Sequence, residues 1–108
     1  MAEELKIAAK ELKRLIDSGA HFTLIDVREQ NEYDLCHING SRLIPLSQLR
    51  SRVKELDVTN EYVLYCHTGE RSGRAVNFLS QLGFKNVKNL EGGIDAWAAE
   101  IDRSMPRY

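Results

Sequence analysis

Tyr62-Val63-Leu64-Tyr65-Cys66-His67-Thr68-Gly69-Glu70-Arg71-Ser72 decides how this chain is read. Tyr62 to Tyr65 is a short aromatic and aliphatic run, the composition of a buried strand. A cysteine, a short polar loop and an arginine follow. Beyond them Ala75, Phe78, Leu79 and Leu82 fall at helical spacing, and Gly83 stands where a left-handed C-terminal cap is expected. A cysteine between a strand end and a helix N-terminus faces a fan of unpaired backbone N–H groups. Those groups favour the thiolate, which is the nucleophilic form of the side chain, and Arg71 adds a positive charge. The plain alternative is a buried structural cysteine, since cysteine is among the most buried residue types. Gly69, Arg71 and Ser72 weigh against it, because together they build an anion cradle beside the sulfur.

The rest of the chain repeats the strand–helix alternation. Ala8, Leu12, Leu15 and Ile16 mark one helical face, stopped by Asp17-Ser18-Gly19. Phe22-Thr23-Leu24-Ile25 reads as a short buried strand ending at Asp26. Glu29 to Asp34 is polar and reads as a loop with a short helical turn. Arg42-Leu43-Ile44 reads as a strand closed by Pro45. Leu46, Leu49, Val53 and Leu56 have helical spacing, with Ser47 as a cap near the start. Val87 to Leu90 is a last strand, Gly92-Gly93 a turn, and Ile94, Trp97, Ala98 and Ile101 a final helix. Strands alternating with helices imply an α/β domain with a mainly parallel central sheet flanked by helices. Ligands of such folds bind at the carboxyl ends of the strands, where Asp26 and Cys66 both stand.

Bulk properties narrow the function classes. At 108 residues the chain fits one domain over residues 1–108, and 43% hydrophobic with 29% charged residues suits an ordinary globular core. A formal net charge of −1 provides no field to recruit nucleic acid or an anionic membrane, so neither is expected as a partner. The two cysteines, Cys36 and Cys66, form no disulfide framework, which suits a reducing, cytoplasmic compartment. Cys66-His67 is an adjacent pair and His21 and His37 lack partners at fixed offsets, so no metal-ligand spacing is present. No apolar run approaches membrane-spanning length, and the acidic Met1-Ala2-Glu3-Glu4 start is unlike a signal peptide.

These residues carry a family resemblance. Leu24-Ile25-Asp26-Val27-Arg28, Glu32-Tyr33, His37-Ile38-Asn39-Gly40-Ser41 and Ile44-Pro45 resemble the opening signature of rhodanese-like domains. Cys66 to Ser72 resembles the persulfide loop of that family, and Gly92-Gly93-Ile94-Asp95-Ala96-Trp97 its C-terminal signature. The matches come in order and span nearly the whole chain. The resemblance implies a sulfurtransferase in which Cys66 takes a sulfane sulfur from a donor such as thiosulfate and holds it as a persulfide. The sulfur would then pass to a thiol, cyanide or sulfur-carrier acceptor. It implies no metal, nucleotide or organic cofactor. Arg71 would stabilise the anionic donor or the thiolate product. His67, Thr68, Gly69, Glu70 and Ser72 would line the substrate site, with Gly69 giving close backbone approach and Ser72 capping the following helix. Arg74, one turn on, fits a solvated helix residue at least as well as a substrate contact.

Several residues keep two readings. Asp26 and Arg28 read as a structural tie between loops, with Asp26 as general base the competing idea. Trp97 reads as a core anchor, and Tyr33 and Tyr65 as half-buried aromatics. Cys36 replaces the glycine common in the family before the His-Ile pair. It is either a small half-buried side chain or a resolving thiol for Cys66. The tail Ile101 to Tyr108 resembles the end of rhodanese domains fused behind adenylyltransferases of the ubiquitin-activating type. That likeness implies a sulfur-carrier protein and its adenylyltransferase as partners. Two other functions use the same scaffold. One is a cysteine-dependent phosphatase or arsenate reductase, whose loop typically holds one residue more than the four between Cys66 and Arg71. The other is a non-catalytic docking module, against which the intact Cys66 and Arg71 argue.

Overall fold

A computed structural model describes residues 5–108. The elements run β1 (Lys6–Ile7), α1 (Ala9–Asp17), β2 (Thr23–Asp26), α2 (Gln30–Leu35), β3 (Arg42–Leu43) and α3 (Leu46–Arg52). A 3₁₀ turn (Val53–Glu55), β4 (Tyr62–Tyr65), α4 (Glu70–Gln81), β5 (Val87–Leu90) and α5 (Gly93–Glu100) complete the chain. The strands form one five-stranded sheet in the order β1-β5-β4-β2-β3. Every pairing is parallel, so the α/β reading with a parallel sheet holds. The central β4 is buried at all four positions, as a strand covered on both faces must be.

Alternation along the strands divides the core into two clusters. Ile25, Leu64 and Cys66 point to the side covered by α3 and α4, where Leu49, Ala75, Val76 and Leu79 meet them. Leu24, Val63 and Tyr65 point to the other side, against Leu12 of α1 and Ile94 and Trp97 of α5. Trp97 is the core anchor its spacing suggested.

The structure corrects several local expectations. The two-residue β1, too short for any periodicity, adds an edge strand by pairing Lys6 with Asn89 and Ile7 with Leu90. Helix α1 buries Ala9 and Leu12 and leaves Ala8 outside as the N-cap, so its inner face is turned from the one expected. Glu29 to Asp34 falls mostly within a true helix, α2, because the Glu32 carboxylate reaches back to the Glu29 N–H at 3.0 Å. Ser47 caps nothing. Pro45 takes the N-cap of α3, and its fixed φ makes it a ready entry to a helix. The helical spacing through Val53 and Leu56 resolves into α3 followed by a tighter 3₁₀ turn. Leu82 falls past the end of α4 and is 48% exposed, while Gly83 takes the expected left-handed conformation at φ +99°.

Gly93 fixes the seat of the Cys66 loop. It adopts φ +62°, and a Cβ there would lie 2.6 Å from the Cys66 carbonyl oxygen. Because that Cβ is missing, α5 brings its first N–H groups onto the loop. Ile94 N–H donates to the Cys66 carbonyl at 2.9 Å and Asp95 N–H to the His67 carbonyl at 3.0 Å. Gly93→Ala should therefore cost clearly more than the roughly 1–2 kcal/mol of a left-handed alanine alone. Gly19→Ala is the control, since Gly19 has φ +73° with nothing within 4 Å of its Cβ position. Equal losses in urea denaturation would rule out the close-approach account.

Candidate functional site

Cys66 follows the last residue of β4 and is 1% exposed, at the floor of a loop that leads into α4. The Gly69 N–H donates to its sulfur at 3.1 Å. Gly69 is the N-cap of α4 at φ +113°, and this left-handed turn swings its N–H back toward Sγ. The next three N–H groups belong to the first helical turn, which has no intrahelical acceptors for them. Ser72 is completely buried and does not cap α4; it lies inside the first turn with its hydroxyl oxygen 3.3 Å from Sγ. The same hydroxyl lies 2.5 Å from the Asn89 Oδ1, and the Asn89 Nδ2–H donates to the Gly69 carbonyl at 3.0 Å. The loop is thus pinned from behind by α5 and from the side by β5.

The structure brings Cys66, Gly69 and Ser72 into contact. The other expected site residues form the rim. His67 is half-buried, Thr68 and Glu70 are exposed, and none of the three has a side-chain hydrogen bond to Sγ among the described residues. Arg71 differs most from expectation. Both its terminal nitrogens are taken by Glu32, at 2.7 and 2.9 Å, so the guanidinium is held in a bidentate pair rather than on the sulfur. Glu32 holds it above its already high range, burial opposes that, and the nearby Cys66 adds a smaller push in the same direction.

Glu32 is the hub of a charged chain that the sequence reading left unassigned. Its Oε2 also accepts from the Tyr108 hydroxyl at 2.9 Å. That hydroxyl accepts from the Arg28 Nη1–H at 2.7 Å, and the Tyr108 ring stacks on His67 with centroids 3.9 Å apart. Arg28 and Asp26 are both fully buried. The Arg28 fork donates Nε–H and Nη2–H to the Asp26 carboxylate, at 2.6 Å for the shortest contact, and Nη2–H also to the Cys36 carbonyl at 2.6 Å. Burial pulls the guanidinium down, but its bonds to Asp26 and Tyr108 outweigh that and hold it above its usual range. Asp26 thus ties loops together, which is the structural reading; as a general base its carboxylate would have to leave this fork. Tyr65 is likewise fully buried, its hydroxyl accepting from the Ile38 N–H and bonded to Ser41, so it props the loop after α2.

Cys36 packs with the cluster on the α1 and α5 side, opposite to the cluster that contains Cys66. Both thiols are free, and Cys36 donates weakly to the Pro106 carbonyl at 3.6 Å. Among the described residues no three His, Cys, Asp or Glu side chains gather as a metal site would require. No helix among them is long and apolar enough to cross a membrane. Asn89, Glu32 and Tyr108 are the site residues that sequence reasoning missed. A lone asparagine between Lys88 and the buried Leu90 of β5 was the available signal for Asn89. Glu32 and Tyr108 stood inside the stretches that carry the family resemblance, but their roles in the site depend on partners 39 to 80 residues away.

Comparison with known proteins identifies the family. Residues 8–100 fit the model of the rhodanese-like domain, and the chain belongs to that family. It is 40% identical over 104 residues to the probable adenylyltransferase/sulfurtransferase MoeZ of Mycobacterium tuberculosis, covering 94% of this chain and 26% of that protein. The chain therefore spans about a quarter of the length of the curated relatives it matches first. Among solved structures, a rhodanese-related protein from Thermoplasma volcanium superposes with a TM-score of 0.81 at 41% identity, over 89% of this chain and 92% of that one. The human single-domain sulfurtransferase TSTD1 gives 0.80 at 25% identity, over 89% and 96%. These likenesses support sulfur transfer as the general chemistry of the domain.

The Glu32 carboxyl is lowered to about 2, chiefly by Arg71, with burial opposing and the Glu29 N–H and Tyr108 assisting. A depressed carboxylate stabilises the fold fully above its ordinary pKa of 4.5 and loses that contribution as pH falls toward 2. The native protein should lose thermal stability between those pH values, and Glu32→Gln should remove part of that slope. Melting curves of both proteins across this window provide the check; parallel curves would exclude a stabilising ion pair.

Proposed function

We propose that this domain is a sulfurtransferase that carries sulfur on Cys66. The observation behind the reading is the Gly69 N–H directed at a cysteine sulfur that sits beneath an otherwise unpaired helix N-terminus. The Cys66 thiolate attacks the sulfane sulfur of a donor such as thiosulfate. A new S–S bond forms, the donor's S–S bond breaks, and its electron pair leaves with sulfite. The outer sulfur now bears the negative charge and lies among the loop N–H groups, which act as an anion-binding nest. An acceptor nucleophile then attacks that sulfur and returns Cys66 as a thiolate. That acceptor is a thiol or cyanide, and the step requires no metal or organic cofactor.

Phosphate chemistry fits less well. Only four residues separate Cys66 from Arg71, and Arg71 is bound by Glu32 instead of lying free for a tetrahedral oxyanion. A pure docking role leaves the buried sulfur and its N–H donor without a purpose. The relation to an adenylyltransferase/sulfurtransferase suggests a carrier protein as acceptor, its C-terminal carboxyl activated by a partner adenylyltransferase. There the outer persulfide sulfur would attack the activated carboxyl and displace AMP, and a thiol would then cleave the resulting acyl disulfide at Cys66, freeing the carrier thiocarboxylate as the thiol is oxidised to a disulfide.

Thiosulfate should add the mass of one sulfur atom to the intact protein, and cyanide should remove it. Cys66→Ser should abolish the addition and Cys36→Ser should not; the reverse pattern would refute the assignment. Aryl phosphates should not be hydrolysed, and a phosphatase activity lost in Cys66→Ser would favour the competing chemistry. Reconstitution with a carrier, its adenylyltransferase and a sulfur donor should yield thiocarboxylate only when Cys66 is intact. Cys66-independent product would remove the carrier from the proposal.

A further inference from the structure

The geometry points to Ser72 as a catalytic hydroxyl that stabilises the Cys66 sulfur as the leaving group when sulfur is handed on, with Asn89 as its positioning residue. This inference rests on the sulfurtransferase reading and assigns the group that assists its second half. Ser72 has one hydroxyl proton and two acceptors in reach, the Asn89 Oδ1 at 2.5 Å and the Cys66 Sγ at 3.3 Å. It is fully buried, so bulk water does not compete for that proton. The Asn89 amide is oriented by its Nδ2–H bond to the Gly69 carbonyl, which turns its oxygen toward Ser72.

The charge on Sγ decides which acceptor wins. In the thiol state, Cys66 S–H donates to Ser72 Oγ and the Ser72 hydroxyl donates to Asn89, so every group is paired. In the persulfide, Sγ is neutral and a weak acceptor, and the hydroxyl stays on Asn89. When an acceptor attacks the outer sulfur, the S–S bond breaks and its electron pair collects on Sγ. The Ser72 hydroxyl then rotates about its C–O bond and donates to the new thiolate beside the Gly69 N–H. No proton is transferred; a neutral hydrogen bond is exchanged for a charge-assisted one at the moment charge appears. The same bond stabilises the resting thiolate, so it does not accelerate attack on the donor. Ser72 therefore acts on release and not on loading.

Single-turnover half-reactions separate the two. Native protein, Ser72→Ala, Ser72→Thr, Asn89→Ala and the double variant are loaded with thiosulfate, mixed with cyanide and quenched for intact mass. Each is measured at a pH where its Cys66 is fully ionised. Ser72→Ala should release sulfur roughly tenfold more slowly, the scale of one hydrogen bond to a charged atom, while loading is not slowed. Ser72→Thr should restore release, and Asn89→Ala should slow release only while Ser72 is present. Equal slowing of both half-reactions, or no slowing of release, would overturn the assignment. A separate arm needs no sulfur: the pH midpoint of Cys66 alkylation by iodoacetamide should rise in Ser72→Ala, and an unmoved midpoint counts against the contact. If native protein accepts no sulfur at all, the sulfurtransferase reading fails, and with it the leaving-group role, while the alkylation arm still decides whether Ser72 bonds the thiolate.

Discussion

Two hydrogen bonds hold this site in place: the N–H groups of Ile94 and Asp95 on the carbonyls of Cys66 and His67. A loop that offers its N–H groups to an anion must have its carbonyls satisfied elsewhere, since a buried unpaired carbonyl is costly. The start of α5 meets that demand for the first two carbonyls, and Asn89 with the Gly73 N–H meets it for Gly69. The arrangement depends on Gly93, the position at which any side chain would collide with the loop backbone. The Gly92-Gly93 turn is therefore part of the site even though neither residue touches the sulfur.

The sequence carried most of the architecture because the strands are short runs with apolar residues at their centres or ends, and the aromatic and aliphatic β4 is followed by helical periodicity. Val63 to Cys66 and Leu24 to Asp26 could be read as strand ends without knowing their partners. What stayed hidden was set by contacts between distant segments. β1 has no periodicity in two residues and exists by pairing with β5. Ser72 looked like a cap because serine favours that position, yet Gly69 could supply the left-handed entry that serine resists. Ser72 was then left within the first turn of the helix, its hydroxyl toward the sulfur. Arg71 was legible as a charge beside Cys66, but its pairing with Glu32 is a product of topology, which lays α2 across the mouth of the loop.

The charged chain from Asp26 through Arg28, Tyr108 and Glu32 to Arg71 links the sheet end to the rim. Asp26, Arg28, Tyr108 and Glu32 each bond two other groups, backbone included, and Arg71 closes the chain with both terminal nitrogens on Glu32. Tyr108 has a particular place in it, since its hydroxyl joins a buried cation to a half-buried anion while its ring covers His67. Its hydroxyl is pushed up to about 12, mainly by burial, so it remains a neutral donor across the physiological range. The segment that begins at Ile101 thereby becomes one wall of the site.

Immobility in the loop and mobility in a single hydroxyl are complementary. The backbone donors around Cys66 are fixed by α5, Asn89 and the first turn of α4, and fixed dipoles stabilise a developing charge without reorganising. Such a cradle suits the outer sulfur of a persulfide, which carries its charge for as long as the intermediate lasts. In the proposed cycle the inner sulfur is different, because its charge would come and go with each half-reaction. A permanently directed donor would bond it poorly in the neutral state, whereas a hydroxyl rotor with a second acceptor stays paired in both. Ser72 between Cys66 and Asn89 has that form, and the buried position that keeps water from it also makes the change of partner respond to the sulfur alone.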